Sequence, residues 1–247
     1  MARVRLSISR CYYWSMRVVV LTGAGISAES GLSTFRDADG LWEGHDPMQV
    51  ATPEAYADDP ALVQRFYDER RAALSRVEPN AAHVALARLE EALGDDLLVV
   101  TQNVDDLHER AGSTRVHHIH GRLRSAWCTA CDERHHWDGA LADAPSCPGC
   151  GERALRPDIV WFGEIPYGMD LVERALWSCD QFVSIGTSGV VYPAAAFVHW
   201  ASGRTLELNL EPSMGASDFA ESRQGPATHL VPAWVDEVLG DGGPNSS

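Results

Sequence analysis

The sequence predicts an α/β protein built on a doubly wound parallel sheet, with a smaller lobe made from two interruptions of the main pattern. Three observations carry this prediction. Three short runs are apolar or β-branched without polar alternation, as expected for strands buried on both faces of a parallel sheet. Each run ends in a polar or glycine-rich turn, and helical stretches lie between them. Two segments, 36–78 and 122–156, break this rhythm, and the second holds four of the six cysteines.

The first strand is Arg17-Val18-Val19-Val20-Leu21-Thr22, and it runs into Gly23-Ala24-Gly25-Ile26-Ser27-Ala28. A strand followed by Gly-x-Gly-x-x-Ala suits a pyrophosphate: two glycines allow a tight turn and close backbone approach, and a small third residue lets a helix pack closely. The same pattern also describes ordinary turns. The second and third strands are Leu97–Thr101, leading to Gln102-Asn103-Val104-Asp105, and Gln181–Ile185, leading to Gly186-Thr187-Ser188. All three turns fall at the carboxyl ends of strands, where doubly wound sheets place their ligands. A helix is predicted from an Asn80 N-cap to a Gly94 stop, with Val84, Leu86, Leu89 and Leu93 on its apolar face. The first interruption is a loop rich in Asp, Gly and Pro, then a helix from Pro60 to Val77.

In the second interruption, Cys128-x-x-Cys131 and Cys147-x-x-Cys150 have the spacing of a tetrahedral Cys₄ zinc site. Two disulfides or a redox pair are the alternatives, but no secretion signal is visible. Four thiolates leave no open coordination position, so a bound ion is expected to be structural. Cys11 and Cys179 remain, and nothing marks either as a nucleophile. Histidines crowd at Val116-His117-His118-Ile119-His120-Gly121. His120, beside a glycine at the edge of the expected cleft, is the candidate general base; a surface histidine cluster or further metal ligands are the alternatives. A dehydrogenase places an acidic residue at the end of its second strand, about 20 positions past the glycines. Here that position falls in the loop from Asp37 to Glu43, which argues against ordinary hydride transfer.

The 247 residues carry 20 basic and 35 acidic side chains, a net charge of −15. That balance disfavours nucleic acid as a partner, and no apolar run is long enough to span a membrane. All the basic residues are arginine, so the chain cannot be regulated by acylation of its own lysine side chains. Residues 1–16 read as a disordered extension lacking the apolar stretch of a signal peptide, and 240–247 as a disordered tail. A cytoplasmic monomer is expected. The main domain is expected to comprise 17–35, 79–121 and 157–239.

Together the segments resemble the sirtuin family of NAD-dependent protein deacylases. The motifs are GAGISAESGLSTFRD (23–37), TQNVDDLHERAG (101–112), HIHG (118–121), the two CxxC pairs, RPDIVWFGE (156–164), GTSGVVYPAA (186–195) and ELNLEPS (207–213). The resemblance implies a Rossmann-type domain plus a lobe of helical insertion and zinc ribbon. It implies that Gly23, Ala24, Gly25, Ile26, Ser27 and Ala28 cradle the pyrophosphate, and that Thr34, Phe35, Arg36 and Trp42 belong to the cofactor site. Gln102 then meets the nicotinamide ribose, and Asn103, Val104 and Asp105 form the nicotinamide pocket. Gly186, Thr187, Ser188, Asn209, Leu210, Glu211 and Ala227 surround the adenosine half. NAD is consumed as a co-substrate: the acyl-lysine amide oxygen displaces nicotinamide, His120 deprotonates a ribose hydroxyl, and the acyl group passes to ADP-ribose.

Ala51, Tyr67 and Arg70 look like the subgroup that removes succinyl and malonyl as well as acetyl groups. Tyr67 and Arg70, spaced i, i+3, share a helix face where a guanidinium can pair with a distal carboxylate; a packed tyrosine and a solvated arginine are the alternative. Val160, Phe162, Gly163 and Glu164 resemble a strand that docks acyl-lysine peptides through backbone hydrogen bonds. Three positions depart from the common pattern: Ser33 stands for proline, Val104 for isoleucine and His118 for glutamate. Mono-ADP-ribosyl transfer and a non-enzymatic NAD-sensing adaptor are the competing functions.

Overall fold

The computed structural model describes residues 16–33, 42 and 44–241. In chain order, β1 (Val18–Thr22) leads to α1 (Ala24–Ala28), then α2 (Pro47–Val50), α3 (Pro53–Asp58) and α4 (Pro60–Ala73). Next come α5 (Ala81–Leu93), β2 (Leu97–Thr101), α6 (Leu107–Arg110) and β3 (Val116–His118). β4 (Gly121–Cys128), β5 (Arg134–His136) and β6 (Leu155–Ile159) precede α7 (Met169–Ser178) and β7 (Gln181–Ile185). The chain ends with α8 (Phe197–Trp200), β8 (Arg204–Asn209), β9 (Glu221–Gln224) and α9 (Ala227–Asp241).

The large sheet has strand order β3-β2-β1-β7-β8-β9, and every pairing in it is parallel. Because side chains alternate along a strand, β1 feeds two cores. Val18 and Val20 pack with Leu86 and Leu89 of α5 and Trp234 of α9, while Val19 and Leu21 pack with Val172 and Leu176 of α7 and Phe197. An unbroken apolar strand is therefore what a sheet covered on both faces requires. β5-β4-β6 form a second, antiparallel sheet.

α4 packs on this second sheet and its ribbon. Asp68 accepts from the Leu141 and Ala142 N–H groups, Arg71 Nε donates to the Leu123 carbonyl at 2.6 Å, and Gln64 Nε2 to the Leu155 carbonyl at 3.1 Å. Between them lies an apolar seam that includes Val63, Phe66, Tyr67, Leu123 and Trp161.

Several boundaries differ from expectation. The helix predicted to Val77 is α-helical only to Ala73, then tightens into a 3₁₀ turn over Leu74–Arg76. Val84 is 54% exposed, because α5 turns Ala82, His83, Ala85, Leu86, Leu89 and Glu90 inward and Val84 away. α9 continues through Asp241, past the expected start of the disordered tail. Val160–Glu164 is not a strand: β6 ends at Ile159, and Phe162–Glu164 form a turn with Gly163 at φ +90°.

Candidate active site

β1 and β7 are neighbours, and the strand order reverses between them, which opens a crevice at their carboxyl ends. Their two turns meet there. Gly25 N–H donates to the Gly186 carbonyl at 2.9 Å, and a Cβ on Gly25 would lie 2.7 Å from Gly186 Cα. Gly186, at φ +64°, leaves only 2.5 Å between such an atom and Ile26 N. Neither position tolerates a side chain, so the glycines are required by this backbone contact before any ligand is considered.

A cleft of ≈ 1240 Å³ extends from this crevice to α4. That exceeds the roughly 300–1,000 Å³ of a small-molecule pocket. All the candidate cofactor and substrate residues within the described part line it except Ile26, whose side chain turns into the sheet core and is fully buried. Thr34, Phe35 and Arg36 lie outside the described residues.

The floor of the cleft is a connected polar network. Asn103 Nδ2 donates to the Gly23 carbonyl at 3.0 Å and to Ser27 Oγ at 3.1 Å, and Ser27 Oγ donates to Asp105 Oδ2 at 3.0 Å. Burial pushes the Asp105 carboxyl up, although the Leu107 N–H and Ser27 hydroxyl oppose it. His83, unremarkable in sequence, sits 3.4 Å from Ser27 Oγ, and burial lowers its pKa to about 4. It is neutral at pH 7 and completes the α5 capping box with Asn80. No local motif marks it, because its partner is 56 residues away.

His120 Nδ1 lies 3.1 Å from the Gln102 carbonyl. A carbonyl only accepts, so Nδ1 carries the proton and Nε2 is left as a base. Burial lowers the pKa of the ring, with the Gln102 hydrogen bond acting in the opposite sense. His118 plays a different part. Its Nδ1 lies 3.0 Å from the Asn103 carbonyl and its Nε2 2.8 Å from Glu109 Oε1, so it braces the backbone of the network.

At the far end Ala51 and Tyr67 are buried, and the Arg70 guanidinium lies 3.6 Å from the Phe66 ring centroid and 4.3 Å from that of Trp42. Arg70 is thus a packed side chain, unlike the solvated alternative. Trp161 Nε1 donates to the Tyr67 hydroxyl at 3.1 Å. Burial keeps that phenol protonated, against the opposing influence of Trp161, Arg70 and Arg156. Val160 N–H donates to the His120 carbonyl and Phe162 N–H to the Ala51 carbonyl, both at 2.9 Å, so this segment ties His120 to the Ala51 end of the cleft.

The four cysteines of the ribbon have Sγ atoms within 4.8 Å of one another. Cys128 and Cys150 are separated by 3.7 Å, and Cys131 and Cys147 by 3.8 Å. A disulfide would require ~2.05 Å, whereas the edge of a tetrahedron with zinc–sulfur bonds of ~2.3 Å is ~3.8 Å. Each CxxC turn closes alike: Asp132 N–H donates to the Cys128 carbonyl and Gly151 N–H to that of Cys147, both at 2.9 Å, with both donors at positive φ. The residues fit a structural zinc ion. Chelation is expected to lower the melting temperature by about 10 °C or more, because zinc binding contributes directly to folding. Calorimetry with and without chelator checks this, and unchanged melting would contradict a structural role.

A parallel sheet with paired glycines at its switch point, a polar floor and a buried imidazole has the form of a dinucleotide-dependent catalytic cleft. The Sir2 family profile matches residues 23–193. The chain is 55% identical over 229 residues to an NAD-dependent protein deacylase of Salmonella typhimurium, covering 90% of this chain and 84% of that one. It is 54% identical over 230 residues to an NAD-dependent protein deacylase of Pasteurella multocida, with 91% and 98% covered. A crystal structure of a Sir2 homologue in complex with NAD superposes with a TM-score of 0.84 at 39% identity, covering 94% of this chain and 92% of the other. A mutant Sir2 homologue bound to 2′-O-acetyl ADP ribose gives 0.84 at 37% identity, with 95% and 96% covered. The chain belongs to the Sir2 family.

Proposed function

We propose that this protein is an NAD-dependent protein-lysine deacylase that removes acetyl, succinyl and malonyl groups. The observation that carries the reading is one continuous cleft, with an oriented imidazole at its centre, a glycine crevice at one end and a tyrosine–arginine pair at the other. NAD supplies an anomeric carbon that becomes electrophilic as nicotinamide leaves. The Gly23–Ala28 turn and Gly186–Ser188 would hold its phosphates and adenosine, together with Asn209, Leu210, Glu211 and Ala227. Asn103 and Asp105 would receive the nicotinamide, held by Ser27 and the Gly23 carbonyl.

His120 would take a proton from a ribose hydroxyl at Nε2, while its Nδ1–H stays on the Gln102 carbonyl. Val160, Phe162, Gly163 and Glu164 would receive the extended peptide, and Ala51 leaves space for an acyl chain longer than acetyl. Tyr67 and Arg70 would donate to its distal carboxylate. The lobes would divide as expected from sequence, with the helical insertion and zinc ribbon forming one wall of the cleft.

The test is incubation with NAD and acetylated, malonylated and succinylated peptides. Free lysine, nicotinamide and 2′-O-acyl-ADP-ribose are the expected products. ADP-ribose retained on protein without free lysine would establish ADP-ribosyl transfer instead, and cofactor binding without nicotinamide release would establish a binding module.

A further inference from the structure

We propose that Trp161 is a positioning residue for acyl selection, its indole N–H setting the direction of the Tyr67 O–H bond. The inference rests on the acidic-acyl reading of the same pocket. Tyr67 is fully buried and its oxygen lies 3.1 Å from Trp161 Nε1. An indole nitrogen can only donate, so the phenol oxygen must accept. The phenol hydrogen prefers the ring plane, where it has two orientations, and a donor on one side drives it to the other. The hydroxyl is then committed to donate away from Trp161. Accepting a hydrogen bond also polarises the O–H, which makes it a better donor.

Trp161 can do this because it is itself held in place. Its backbone N–H donates to Glu164 Oε2 at 2.8 Å. The Arg156 guanidinium lies 3.4 Å from the indole centroid and forks onto both Glu164 oxygens at 2.8 and 3.0 Å. A further Arg156 bond, 2.7 Å to the Ile159 carbonyl, anchors the cluster to the end of β6. An uncharged acyl group makes no demand on the phenol, whereas a distal carboxylate needs every donor directed at it. Trp161 therefore acts on the carboxylate-bearing substrates only, through Tyr67.

Trp161→Phe keeps a ring and deletes the N–H. It is expected to raise KM for succinyl- and malonyl-lysine peptides, lowering kcat/KM about threefold to tenfold, with acetyl-lysine kinetics and melting temperature little changed. In a Tyr67→Phe background the same substitution should add nothing, since no hydroxyl remains to orient. Equal losses for acetyl and succinyl peptides, or the same succinyl loss with and without the Tyr67 hydroxyl, would overturn the proposal. If Trp161→Phe does not fold, benzothienylalanine at position 161, which keeps the bicyclic shape and lacks the N–H, is expected to give the same split and is judged by the same criteria. Should Tyr67→Phe and Arg70→Met both leave succinyl kinetics unchanged, the acidic-acyl reading itself fails. Selective effects of those two beside a silent Trp161→Phe would sink only the role of the indole.

Discussion

Replacing His120 by alanine is expected to lower deacylation turnover by about 10²- to 10⁴-fold, the range that a general base contributes, while NAD affinity stays within a few-fold of the parent. The imidazole stands in the cleft with one nitrogen already committed to the Gln102 carbonyl, so its removal takes away a proton acceptor and little of the binding surface. Single-turnover kinetics together with titration calorimetry separate the two quantities. Turnover equal to the parent would eliminate His120 as the base. The pH profile is a second reading of the same group. Burial lowers the His120 pKa from its ordinary 6.5, so the neutral, proton-accepting form persists below that value. Activity should hold as pH falls to 6.5 and decline only at lower pH. An acidic limb centred above 6.5 would contradict a buried neutral base.

Arg70→Met is expected to reduce kcat/KM for succinyl-lysine about tenfold to a hundredfold, because hydrogen bonds to a charged group are each worth roughly 1.5–3 kcal/mol. Acetyl-lysine should change by less than about threefold, since a methyl group has nothing to offer a guanidinium. The side chain is well placed for this division. It packs against both the Phe66 and Trp42 rings, and its Nη1 donates to the Phe66 carbonyl at 3.4 Å, so its orientation is held before substrate arrives. Arg70→Lys should recover only part of the loss, because an ammonium lacks the planar fork that matches a carboxylate. Parallel kinetics on succinyl and acetyl peptides decide the matter. Equal losses on the two would show that Arg70 supports the helix and does not read the acyl group.

Much of the framework was legible without coordinates, and for local reasons. Strand runs such as Leu97–Thr101 and Gln181–Ile185 emerge with the boundaries read from the chain, because a strand covered on both faces is mainly apolar along its whole length. Asn80 and Gly94 bracket α5 as capping chemistry requires. The two CxxC pairs announce a metal site because each holds its geometry within four residues. The resemblance alone gives Val160–Glu164 as a docking strand, and it does not reveal that Gly163 turns the backbone there. Ile26 falls within the glycine motif, and α1 rotates its side chain into the core.

The chain by itself determined the strand–turn–helix units, the cysteine ligands and which residue types gather at the strand ends, because each depends on neighbours a few positions away. Only the tertiary structure decided that Gly25 meets Gly186, that His83 stands behind Ser27, that the Gln102 carbonyl selects the His120 tautomer, and that the Trp161 indole bonds to Tyr67. Those contacts join residues 18 to 161 positions apart. No periodicity or spacing encodes them, because they form only once burial has removed water and each polar atom must find its partner within the protein.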